Sequence, residues 1–143
     1  MGKVEYQKIC DAIGSISPFI RFVGVVGESG ELLAHRRRPD LVPLLNAKNT
    51  QYQFSHIAMK TDLEGFFDKN LGPIEFVWEE RKKVQTISFA IKKQRVWISI
   101  DKKQRRMIKV PNLPKLLVET KLKVDVARRN CLLVEKKLQC KSI

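Results

Sequence analysis

Residues 74–101 constrain the fold more tightly than any other part of the chain. Three segments rich in β-branched and aromatic residues follow one another there: Ile74–Glu80, Val84–Lys92 and Arg95–Asp101. Only Arg81-Lys82-Lys83 and Lys93-Gln94 separate them. Connections that short join antiparallel neighbours, because a parallel return needs a crossover of about a dozen residues or more. In the second segment Gln85, Ile87, Phe89 and Ile91 alternate with Val84, Thr86, Ser88 and Ala90. In the third, Val96, Ile98 and Ile100 stand opposite Trp97 and Ser99. A period of two places each set on one face of a sheet, so the segment reads as a three-stranded antiparallel meander.

The preceding half supplies a second strand pair and two helices. Residues 3–16 carry Val4, Ile9, Ile13 and Ile16 near one helical face, and Ser17-Pro18 ends the pattern. Phe19–Gly27 is apolar at both parities, as a strand covered on both faces would be. Glu28-Ser29-Gly30-Glu31 reads as a turn, with glycine supplying the positive φ. The returning strand, Leu32–Arg37, turns basic and stops at Pro39. Around Leu41, Leu44 and Leu45 one helical turn is expected, followed by a helix over about 49–70. In that helix Tyr52, Met59, Leu63 and Phe66 form the main stripe, and Phe54, Ile57, Ala58 and Phe67 widen it. Asn70-Leu71-Gly72-Pro73 is its stop signal.

Strands joined directly in pairs, with one long helix between the pairs, imply an α+β domain: a five-stranded antiparallel sheet with helices on both faces. With 43% apolar and 30% charged residues, the chain can build a core and stay soluble, and no apolar run is long enough to span a membrane. The absence of an apolar leader and the three scattered cysteines, Cys10, Cys131 and Cys140, point to reduced thiols and a cytoplasmic protein.

The charge is unevenly placed. Residues 102–143 hold 13 Lys and Arg against three acids, out of a net +13 for all 143 residues. The chain therefore divides into a sheet domain, 1–101, and a basic C-terminal extension, 102–143. The run Lys102-Lys103-Gln104-Arg105-Arg106, followed by Lys109, has the composition of a phosphate-backbone footprint on DNA or RNA, and also of a solubilising extension. Arg36-Arg37-Arg38 offers guanidinium forks to a polyanion, or blunts a strand end. Candidate polyanion-binding residues are thus Arg36, Arg37, Arg38, Lys102, Lys103, Arg105, Arg106 and Lys109.

Catalytic chemistry finds no support. Glu79 and Glu80 point to opposite faces of a strand, so they do not form a carboxylate pair. Gly24, Gly27 and Gly30 lack the Lys and the following helix of a phosphate loop. His35 and His56 belong to no evident Ser or Cys nucleophile arrangement and are far from any Cys pair in the sequence. No enzyme activity, cofactor or metal is expected. Trp78, Trp97 and Phe76 read as core residues rather than base-stacking platforms.

The order of elements is similar to that of the roadblock/LC7, longin and profilin-like group. The stretches Ile20–Val26, Glu28–Ala34, Leu71–Phe76, Arg81–Val84 and Ile87–Ile91 resemble an archaeal family with a roadblock-like fold. The resemblance covers about residues 5–101. It implies the strand order 2-1-5-4-3 and a noncatalytic, dimerising platform for small GTPases, motors or signalling scaffolds. His35-Arg36-Arg37-Arg38 departs from the small residues expected after the second strand. The resulting expectations are a homodimer with a further protein partner, and a core containing Phe22, Val25, Leu63, Phe66, Phe76, Ile87, Phe89 and Ile98.

Overall fold

The computed structural model describes residues 2–91, 93–102 and 126–129. Helix α1 (Lys3–Gly14) leads into strands β1 (Ile20–Val26) and β2 (Leu32–Arg37). Helix α2 (Ala47–Glu64), a single 3-10 turn (Gly65–Phe67) and the short α3 (Asp68–Leu71) come next. Strands β3 (Val77–Glu80), β4 (Val84–Ile91) and β5 (Gln94–Asp101) complete the sheet. All neighbours are antiparallel and the order is β2-β1-β5-β4-β3, as the resemblance implied.

The meander explains the two unequal layers. On one face β4 and β5 present Ile87, Phe89, Ile91, Val96, Ile98 and Ile100, all nearly inaccessible. Helix α1 lays Tyr6, Cys10 and Ile13 on this face, and Ala127 packs against the same cluster. The other face carries the alternate residues, which apart from Trp97 are smaller or polar: Thr86, Ser88, Ala90, Arg95 and Ser99. Its cluster is accordingly small, with Phe22, Val26, Phe54 and Ile57 buried and Leu32 and Trp97 at its margin. Every residue of β1 is buried, because both layers meet on it.

Polar contacts anchor α2 where apolar ones are scarce. Asn46 caps its start, its side chain accepting from the Asn49 N–H at 2.8 Å. Near its end Arg95, on β5, donates to Thr61 Oγ1 (2.8 Å) and Glu64 Oε2 (2.9 Å). Gly30 brings the β1–β2 turn against α2: its φ is +85°, and a Cβ there would lie 3.1 Å from the Ser55 Cα. Only glycine meets both conditions without strain.

Several sequence expectations need correction. Leu41–Leu45 forms no helical turn; Pro43 removes an N–H and restricts Val42, and the helix begins instead after the Asn46 cap. The expected 49–70 helix is interrupted by the 3-10 turn at Gly65. β3 begins at Val77 rather than Ile74, and the Glu75 carbonyl accepts a hydrogen bond from Arg128. Of the expected core, Phe22, Val25, Ile87, Phe89 and Ile98 are buried, whereas Leu63, Phe66 and Phe76 are not. Phe76 lies beneath the Arg128 guanidinium, 5.7 Å from ring centroid to Cζ. Trp78 and Trp97 do border the core clusters. The basic extension falls almost wholly outside the described residues; within it, residues 126–129 are helical.

Candidate functional site

Helix α2 is apolar on two opposite sides. Tyr52, Met59, Leu63 and Phe66 fall within about 60° of arc at 3.6 residues per turn, with Phe66 in the 3-10 turn that prolongs the helix. Phe54 and Ile57 lie roughly opposite, and they are the ones that meet the sheet. Hence the stripe most conspicuous in the sequence faces outward, with Leu63 59% and Phe66 77% exposed. The inner face is limited by what the sheet offers it: hydroxyls, an alanine and the Arg95 guanidinium leave room for two large side chains, not six. Phe67 and Leu71, also exposed, continue the apolar surface beyond the helix.

Next to this surface lies the edge strand of the described sheet, β3. β3 is four residues long and, among the described residues, pairs only with β4. Lys60 of α2 reaches Glu79 of β3 at 3.2 Å, tying helix and edge strand together. Glu80 points the other way, as the alternation required. It accepts from Trp78 Nε1 (3.0 Å) and Gln85 Nε2 (2.8 Å) and pairs with Lys102 (3.0 Å). These donors hold its carboxyl at about 2, well below the usual carboxylate range, with Gln85 contributing most.

The candidate polyanion-binding residues do not form a single cluster among the described residues. Arg36 turns toward α1 and donates to the Asp11 carbonyl at 2.7 Å. Arg37 turns to the opposite face and stacks over the Phe22 ring, 5.6 Å from the centroid. Arg38 is mostly buried and pairs with Asp101 Oδ2 (2.8 Å) and Asp40 Oδ1 (2.9 Å). Lys102 pairs with Glu80. Lys103, Arg105, Arg106 and Lys109 lie outside the described residues. The ion pairs to Asp101 and Glu64 escaped the sequence reading, since partners 80 and 31 residues apart leave no local spacing signal.

Among the described residues, no group of His, Cys, Asp and Glu is arranged to hold a metal. No helix there is long and apolar enough to cross a membrane. Cys10 is fully buried, and burial pushes its thiol up to about 11, which leaves it protonated and unreactive.

No protein-family model and no curated protein matches the chain. Solved structures do match it in shape. Myxococcus xanthus MglB superposes with a TM-score of 0.63 at 13% identity, covering 95% of this chain and 91% of that one. The gliding protein MglB of Thermus thermophilus gives 0.65 at 12% identity, covering 96% and 93%. A Roadblock/LC7 domain from Streptomyces avermitilis gives 0.56 at 6% identity, covering 94% and 95%. At such identities the likeness is one of fold. The five-stranded order and the two helical layers agree with it, and the chain has a roadblock/LC7-like fold.

Proposed function

We propose that the protein is a noncatalytic interaction module that pairs with a second copy of itself through the outward face of α2 and the adjoining β3 edge. The observation that carries this reading is the double-sided apolarity of α2. A row of large apolar side chains opposite an already buried face costs solubility unless something covers it. A two-fold axis brings the same patch of each copy together, so one apolar stripe meets another of equal character. The short β3 edge beside it has no outer strand partner among the described residues, and such an edge favours pairing. A solved MglB described as having a tetrameric arrangement shares the fold, which supports self-association. The paired platform then presents its remaining surface to a protein partner, of the small-GTPase or signalling-scaffold kind that the family resemblance implies.

A photo-crosslinking amino acid placed at Phe66 tests the surface directly. Illumination should yield a covalent dimer, whereas the same group at Val4 of α1, which is also exposed, should yield monomer. Equal yields at the two positions would refute the assigned face.

The charge of residues 102–143 supports a second reading, in which the extension holds nucleic-acid backbone while the sheet domain pairs. A salt titration of duplex DNA binding tests it.

A further inference from the structure

Between the β2–α2 connection and the β3–β4 hairpin lies a cleft of about 390 Å³ on the thin α2 face of the sheet. This volume falls within the ~300–1,000 Å³ typical of small-molecule pockets. It exists for the reason α2 is thinly packed: beside Val84 and Trp97, β4 and β5 contribute the small Thr86 and Ser99 beneath it, a directly paired couple across the two strands. The floor is aromatic. Phe22 lies 5.9 Å from Trp97 and 6.1 Å from Phe54, centroid to centroid. Leu44 and Leu45, both exposed, form one wall.

The rim has one sign. Arg37, Arg81, Lys82 and Lys83 border the cleft, and no Asp or Glu lines it among the described residues; Arg81 approaches Glu79 only at 4.0 Å. Arg21 also lines it, but that guanidinium is already engaged with Asp101 at 2.8 Å and with the Val42 carbonyl. The surplus positive charge thus belongs to the rim residues, above an apolar floor with hydroxyls at its base. An apolar hollow ringed by cations favours a ligand with an apolar body and an anionic head. It disfavours the chain's own C-terminal extension, whose 13 basic residues against three acids carry the same sign.

We propose that this cleft binds a small organic anion, its apolar body on the Phe22–Phe54–Trp97 floor and its carboxylate, sulfonate or phosphate group between Arg37 and Lys83. The site lies on the inner side of α2, so it is separate from the outward stripe assigned to self-association.

The test titrates the full chain with anilinonaphthalene sulfonate and with its uncharged counterpart phenylnaphthylamine. The double variant R37E/K83E should weaken the sulfonate by about tenfold or more, as expected for a lost charge-assisted contact. It should change the neutral probe by less than about twofold, with the circular-dichroism melt preserved. The sulfonate should also shift the Trp97 indole resonance. The variant L63E/F66E, on the outward stripe, should leave sulfonate affinity intact. The proposal is overturned if R37E/K83E leaves the sulfonate unaffected, if both probes weaken alike, or if L63E/F66E abolishes binding. The last outcome would place the probe on the outer face of α2. None of these outcomes depends on whether the protein is a dimer.

Discussion

Arg21 and Asp101 meet in a buried ion pair, Nη1 to Oδ1 at 2.8 Å, that joins β1 to the last residue of β5. The other Asp101 oxygen takes Arg38 at the same distance, so one carboxylate bridges two largely buried guanidiniums, and Asp40 supplies the second negative charge to Arg38. Arg21 also donates to the Val42 carbonyl, and Arg38 to the Pro18 carbonyl, so the network fastens the loops on either side of the β1–β2 pair. Removing a single partner strands the rest: Asp101→Ala should destabilise the protein by about 3–5 kcal/mol. Denaturant melts of the variant measure this directly, and a loss below ~1 kcal/mol would show that the pair is solvated.

The two sides of the sheet predict opposite responses to truncation. Phe89, 1% exposed, should cost about 3–5 kcal/mol when changed to alanine, from lost burial plus a cavity. Met59→Ala on the outward stripe should change monomer stability by no more than ~0.5 kcal/mol. The comparison is made under dilute conditions that keep the chain monomeric. A large loss at Met59 under those conditions would mean that α2 is rotated from its described orientation.

Glu80 sets an acid-side dependence. Its carboxyl is held near 2 when folded against an ordinary value of 4.5, so the charged form is favoured in the native state. That contribution is complete above about pH 4.5 and is lost as pH falls toward 2. Half of the side chain is exposed, so solvent screening limits it to under ~1 kcal/mol. Glu80→Gln should flatten the stability profile across this window, so that variant and parent converge at its acid end. An unchanged acid slope in the variant would contradict the assignment.

Cys10 should resist alkylation by iodoacetamide at about pH 8 in the native protein and react after denaturation, because its thiol is buried and its ionisation suppressed. Peptide mapping separates it from Cys131 and Cys140. Native-state labelling at Cys10 would show that α1 opens readily.

If the basic extension holds duplex DNA, log affinity should fall against log salt by about 0.9 for each phosphate neutralised. Replacing Lys102, Lys103, Arg105, Arg106 and Lys109 with glutamine should reduce that slope by several units. Equal, weak binding by the full chain and by a chain ending at Asp101 would leave the extension without this role.

What the sequence made legible was set by period and proximity. The alternation in Val84–Ile91 and Gln94–Asp101 assigns each side chain to a face, and the short connections pair the strands. Gly30 marks its turn because a positive φ is needed there. The side of α2 that meets the sheet was not legible from the helix itself. Its strongest stripe, Tyr52, Met59, Leu63 and Phe66, has the spacing of a core face, and spacing alone does not distinguish a core from a partner. The cue lay on the strands: the face toward α2 holds Thr86, Ser88, Arg95 and Ser99 with Trp97 as its one large apolar residue, too little to receive four large apolar side chains. Arg38 has the look of a free cation in a basic run, and only the return of β5 beside β1 brings Asp101 to it.

Sedimentation equilibrium of the full chain and of L63E/F66E at tens of micromolar tests the outward face of α2 most directly. Covering that face with a second copy predicts twice the 16.6 kDa chain mass for the parent and a folded monomer for the variant. A parent chain that sediments as a monomer, or a variant that remains dimeric, would contradict the account.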